Sequence, residues 1–235
     1  MDNKRITVSL NYFGPPLKKE KIDNLLNYQE NNQSGMLDWE KRVLEYFFDL
    51  PLCALSREIL ERYIEITTED SNVPIVPRTE EIDERLLKPL KSAKKNYCLG
   101  DYLATIASCG IIGEMLAILV WKISEVKIRG NLITEEDEER LFSRKFEKLG
   151  QERRLEILKV LHFVNDSQYN KFNSIRKSRT PYLHLWTTDL KNEKEKAKKC
   201  VEEAFSLFKE IINLKLKDAR SLSINPQVLK LFKNE

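Results

Sequence analysis

The sequence predicts an all-α protein, and three observations predict it. Apolar residues recur mostly at helical spacing. The seven glycines and eight prolines supply few of the turns an all-β chain needs. One stretch, Tyr102 to Ile123, is apolar or small at nearly every position. With 235 residues, 41% of them hydrophobic, the chain can bury one large helical core or a core with an appendage.

Taken in order, the N-terminus is the exception to helix. Arg5 to Tyr12 alternates polar and apolar residues like a strand and stops at Gly14-Pro15-Pro16. A single strand reads as an arm on the bundle or as an edge that pairs with its copy. Residues 27–35, rich in Asn, Gln and Glu, read as a link, and Ser71 to Pro77 as a second joint. These joints divide the chain into an N-terminal extension (1–77, a strand-like arm plus helices), a helical bundle (78–218) and a C-terminal tail (219–235). Helices are expected at about 36–49, 56–67, 79–97, 101–126, 135–149, 151–164, 167–180 and 188–217. Thr134-Glu135-Glu136-Asp137 has the form of an N-terminal cap with acids in the first turn, and Gly150 that of a C-terminal stop. The last long helix places Cys200, Val201, Ala204, Phe205, Phe208, Ile211 and Ile212 inward, and its Lys/Glu run at 191–199 reads as a solvated face.

The apolar stretch has the length of a membrane span, but it contains Glu114, Ser108 and two glycines between strongly charged flanks. It therefore reads as the central buried helix of a bundle. Ala104, Ala107, Ser108, Gly110 and Gly113 would let another helix approach closely, from this chain or from a partner. Glu114 is the only acid between Tyr102 and Glu125, and a buried carboxylate is costly unless paired. Either it reaches solvent or pairs with Lys122 or another cation, or it orients a functional group.

Several chemistries are not indicated. Cysteines at 53, 98, 109 and 200 have no paired spacing, and two histidines make no cluster, so neither a metal site nor a disulfide framework is expected. There is no glycine-rich phosphate loop and no GxSxG elbow, and no cofactor is expected. Residues 1–5 lead into a polar-alternating segment instead of an apolar run, which makes a cytoplasmic protein with reduced thiols the expectation. His162, among apolar neighbours in Lys159 to Phe163, is expected in the core.

The segment that carries chemistry is Arg176-Lys177-Ser178-Arg179-Thr180-Pro181-Tyr182-Leu183-His184. From Ser167 to Thr188 there is no acid, while Lys171, Arg176, Lys177 and Arg179 add four positive charges that a net charge of +3 conceals. Tyr169, Phe172, Tyr182 and Trp186 are interleaved with them, a mixture suited to single-stranded nucleic acid but, on composition alone, more usual on an ordinary amphipathic helix with a solvated basic face. Arginine holds phosphate by two parallel hydrogen bonds, and histidine exchanges a proton near neutral pH. Residues five apart on a regular helix are displaced by roughly 140°. Pro181, which lacks the amide that would bond Lys177, supplies a bend that would bring Arg179 and His184 to one cleft.

Ile175-Arg176, then Arg179, four residues and His184, resembles the signature of the HEPN superfamily, in which many members are metal-independent ribonucleases. Ala93 to Ile123 resembles the family's long helix, with small and aliphatic residues around a glutamate. The resemblance covers about residues 80–218. It implies an HEPN-like helical bundle, a homodimer whose two-fold interface gathers both Arg179 and His184 pairs, and RNA as substrate. His184 would serve as general base on a ribose 2′-hydroxyl or as acid for the leaving oxygen, Arg179 would stabilise phosphoryl charge, and Glu114 would orient one of them. Arg176, Lys177, Lys171, Thr180 and Tyr182 would contact the substrate. The family often has Asn or another polar residue after the arginine; here it is Thr180, followed by Pro181. The products would be a 5′-hydroxyl and a 2′,3′-cyclic phosphate, in keeping with a toxin or defence effector that acts in the cytoplasm, away from membranes. The same resemblance carries a rival expectation: a non-catalytic dimerisation, adaptor or RNA-binding bundle with an antitoxin or nucleotidyltransferase partner.

Overall fold

The structure, a computed structural model, describes residues 13–15, 17, 19, 20, 22, 38–67, 83–128, 130–182, 192–212, 215–218, 221–223 and 225–231. The strand-like segment 5–12, both joints, Trp186 and His184 lie outside the described residues.

Helix α1 (Asp38–Phe48) leads through one 3-10 turn at Leu52–Ala54 to α2 (Arg57–Ile66), whose first turn is closed by Ser56 accepting from the Ile59 amide. A single π-helical turn, Asp83–Leu87, runs straight into α3 (Lys88–Leu99), whose second residue, Pro89, has no amide hydrogen to give to that preceding turn. Gly100, with φ of 86°, ends α3: its amide bonds Tyr97 O and the Asp101 amide bonds Asn96 O, a turn that needs the left-handed conformation. Asp101 then caps α4 (Tyr102–Ile123) by accepting from the Ala104 amide at 2.9 Å.

After α4 the expected continuation to 126 is replaced by a two-residue ladder, β1 (Lys127–Ile128) against β2 (Asn131–Leu132), turned at Gly130. Helix α5 (Glu135–Phe142) starts on the predicted cap, with Thr134 and Asp137 bonding each other's amides. It stops at Ser143 instead of 149, so Gly150 precedes α6 (Gln151–Val160) instead of ending α5. Helix α7 (Asp166–Arg179) begins on a reciprocal Asn165–Gln168 cap, and α8 (Glu193–Ile212) is the long return helix. The helix expected to reach 217 ends at Ile212; β3 (Lys215–Asp218) follows and pairs with β4 (Ser221–Ser223) of the expected tail, where α9 (Pro226–Leu231) buries Val228.

Helix α4 is apolar around most of its circumference because it is covered on several sides, by α3, α8, α7 and α6. It is the one described helix long and apolar enough to cross a membrane, and just over half of its most apolar window is buried inside the protein. All seven residues of α8 expected to face inward are buried. The N-terminal region shares this core. Phe47, Phe48 and Tyr63 pack edge to face and tilted, with ring centres 4.8–5.8 Å apart, in the same apolar cluster as Leu90 and Tyr97. Its first described residues are held by two side chains: the Tyr63 hydroxyl donates to Pro15 O at 2.6 Å, and the Lys94 amine donates to Phe13 O at 2.8 Å.

Candidate functional site

Three helices converge on one carboxylate. Arg179 is the last residue of α7, and its side chain lies across α4 at Gly110, so closely that a β-carbon at position 110 would overlap Arg179 Cδ. One turn further along the same face of α4 is Glu114. Its Oε1 forms an ion pair with Arg179 Nη1 at 2.5 Å, and its Oε2 accepts a hydrogen bond from Arg154 Nη2, on α6, at 3.4 Å. Gly113 makes room beside it: a β-carbon there would lie 3.3 Å from Gln151 Nε2 and 3.5 Å from Ile175 Cγ2. The two glycines thus admit α7 and α6 of the same chain to the middle of α4, and they set the distance at which Arg179 reaches Glu114.

The site is open at one side. Glu114 is 27% and Arg179 25% exposed, whereas Arg154 is 5% exposed. Two guanidinium groups face one carboxylate, which leaves an excess positive charge where the partly exposed arginine meets solvent. Next to it on α4, Leu103, Ala107 and Ile111, spaced one turn apart, are exposed, the first and last by 44% and 50%. Such a site can receive an oxyanion at Arg179, and the uncovered stripe is apolar.

The basic segment behaves differently from a single patch. Helical geometry turns its cations in different directions. Lys171 points to α8, where its amine bonds Ser206 Oγ at 2.9 Å and pairs with Glu210. Arg176 points to α6, bonding Glu152 Oε1 and Asn173 Oδ1, each at 3.1 Å. Lys177 is exposed in an open groove of about 590 Å³ that also includes Asn170, Asn173, Ser178 and Lys196, with no acid among its lining residues. Because Lys177 and Arg179 are two positions apart, this groove and the Glu114 site open on nearly opposite sides of α7.

Thr180 and Tyr182 also have other partners or surroundings. The Thr180 hydroxyl donates to Arg176 O at 3.0 Å, closing the helix end, and one tight turn continues through Pro181 to Tyr182. Tyr182 and Phe172 are buried, so neither offers a face for stacking; Tyr169, partly exposed, lines the groove with Lys159 over its ring at 4.2 Å. Past Arg179 the helix tightens into a 3-10 turn over residues 180–182, and the expected meeting of Arg179 with His184 falls outside the described residues.

His162 is a correction. It is exposed, with φ of 58°, because α6 ends at Val160 and His162 is the left-handed residue that turns the chain toward α7. The Phe163 amide returns to Leu158 O at 2.9 Å, and Val164 takes the buried place instead. Lys122, the other cation considered for Glu114, pairs with Glu147 at 2.9 Å.

Arg154 and Gln151 were not singled out by sequence reasoning. Their signal was available: Gln151, Arg154, Leu155 and Leu158 fall on one helical stripe, which puts two polar residues on the buried face of α6. The described residues contain no group of three or more His, Cys, Asp or Glu able to hold a metal ion. The chain matches no protein-family model, no curated protein and no solved structure, so the chemistry open to it is argued from these residues alone.

Proposed function

We propose that the protein is a metal-independent endoribonuclease that acts as a homodimer in the cytoplasm, as a toxin or defence effector. The observation that carries the reading is the seating of Arg179. Its guanidinium lies over a glycine, is oriented by a carboxylate, and remains a quarter exposed at the end of the helix that leads to His184. Preorganised cations of this kind stabilise charge that develops on phosphoryl oxygens. His184 moves the proton between the ribose 2′-hydroxyl and the leaving 5′-oxygen, and the 2′-hydroxyl requirement makes DNA resistant. The exposed Leu103, Ala107 and Ile111 stripe beside Arg179 favours a second copy as its cover, with the two-fold axis between paired sites. The groove at Lys177 and Lys196 offers a separate track for backbone phosphates.

A second reading, a non-catalytic adaptor or RNA-holding bundle with an antitoxin or nucleotidyltransferase partner, is favoured by one observation. Lys171 and Arg176 are engaged by acids, which leaves fewer free cations than the segment suggests. One experiment separates the two: a mixed RNA pool is incubated with the protein in chelator and the new ends are mapped. The enzyme reading expects 5′-hydroxyl and 2′,3′-cyclic phosphate ends. It also expects losses of about a hundredfold or more in both His184→Ala and Arg179→Ala with folding retained. Equal cleavage by wild type and His184→Ala would sink it.

A further inference from the structure

Arg154 is buried to an extent that its single visible partner does not explain. It is 5% exposed, and only Nη2 bonds, at 3.4 Å, to Glu114; Nε and Nη1 have no hydrogen-bond partner. Beside it, Gln151 is 7% exposed and neither atom of its amide is bonded, and Arg179 Nε is unpaired as well. Buried, idle donors around a charge destabilise a fold, and a plain structural ion pair would be expected to satisfy more of them. The two ion pairs of Glu114 are also unequal: short to the partly exposed arginine, long to the buried one.

We propose that Arg154 is a positioning residue, the fixed cation that takes up Glu114 when a phosphoryl oxygen replaces the carboxylate on Arg179. In the arrangement described, Glu114 occupies Arg179 as an internal oxyanion. An incoming phosphate group competes for the same donors, and the displaced carboxylate would be a half-buried charge without a counter-ion unless another cation received it. Arg154 is already in contact with its second oxygen and has two free nitrogens with which to complete a two-pronged bond. The ligand class is therefore a phosphate mono- or diester, bound by exchange instead of by entry into an empty site. This inference rests on the reading that Arg179 contacts phosphoryl oxygens.

The test is epistasis, read by affinity at constant ionic strength for two probes: inorganic pyrophosphate, and a short 2′-O-methyl RNA that lacks the nucleophile. R154M should bind both about tenfold more weakly than wild type, because Glu114 stays on Arg179; E114Q should bind as tightly or more tightly. The decisive protein is R154M/E114Q, which should return to the affinity of E114Q, since without the carboxylate there is nothing for Arg154 to receive. A structural role would leave the double variant as weak as R154M or weaker, and that result overturns the proposal, as does R154M binding like wild type. If R154M does not fold, R154Q, which keeps a neutral donor, replaces it in the same cycle with the same direction expected. Pyrophosphate binding with this pattern but no RNA cleavage would sink the ribonuclease reading and leave the role of Arg154 standing. RNA cleavage with all four proteins binding pyrophosphate equally would do the reverse.

Discussion

Replacing Lys94 with Met should change how stability depends on pH. Lys94 on α3 is 4% exposed; its amine donates to Phe13 O and lies 4.4 Å from the centre of the Tyr63 ring and 5.4 Å from that of Phe47. The carboxylate of Glu45 or Glu65 is not among its partners, so burial brings the amine down from 10.5 to about 7, with Cys98 acting weakly the other way. In the unfolded chain the amine stays protonated up to its ordinary value, so between pH 7 and 10.5 the unfolded state holds one more proton and stability rises with pH. Below pH 7 both states are protonated and the slope vanishes. The buried Cys98 thiol is pushed up to about 12 from 9.0, which opposes the gain above pH 9. That leaves pH 7 to 9 as the clean window, where one proton is worth about 1.4 kcal/mol per pH unit. Met keeps the packing length but loses the bond to Phe13 O, about 1 kcal/mol, and removes the burial of charge. Urea unfolding of both proteins from pH 6 to 9 should therefore show wild type gaining roughly 2–3 kcal/mol on Lys94→Met across the window. Parallel stability curves would refute the reasoning.

Two further substitutions test the site and its surroundings. Gly110→Ala should leave thermal stability within about 1 kcal/mol of wild type, because the helix-propensity gain offsets the displacement of Arg179. RNA cleavage should fall by about tenfold or more, since the guanidinium can no longer lie across α4; unchanged cleavage would show that Arg179 works from another position. Glu203, on α8 opposite Ser174 of α7, has its carboxyl held above the usual 4.5 by burial, with Ser174, Lys199 and Lys171 pulling the other way. A raised carboxyl is a burden above its unfolded value and none below it, so Glu203→Gln should be more stable than wild type at pH 7 and lose that advantage in denaturation at pH 4.

Periodicity carried much of the fold. The length of Tyr102–Ile123, the inward face of α8 and the Thr134 cap are local or one-helix properties, and a helical period displays them directly. The contact of Glu114 with Arg179 was legible for a different reason: a lone carboxylate in an apolar helix must find a cation, and Arg179 was among those proposed. Arg154 was not, because an arginine in a charged stretch such as Gln151 to Arg154 looks solvated until the stripe it shares with Leu155 and Leu158 is drawn. The basic segment was over-read for the converse reason, since charges adjacent in sequence are spread around a helix by 100° per residue. His162 was misplaced because apolar neighbours say nothing about a helix stop, which turned the imidazole outward. The Lys94 amine beneath Phe13 joins positions 81 apart, and no local pattern encodes such a pairing.

That last contact bears on how the chain can be dissected. A fragment begun at residue 78, the joint suggested by composition, would remove Phe13 and Tyr63 together with the α1 and α2 residues that cover Leu90 and Tyr97. It would strip the Lys94 amine of the carbonyl it bonds and of both rings beneath it, turning a buried amine whose charge is suppressed into a wet cation on an apolar wall. The helices that position Arg179 would then stand on a core open along one side. The N-terminal third is in this sense part of the bundle's interior, and a minimal unit that preserves the Glu114 site has to begin near the N-terminus.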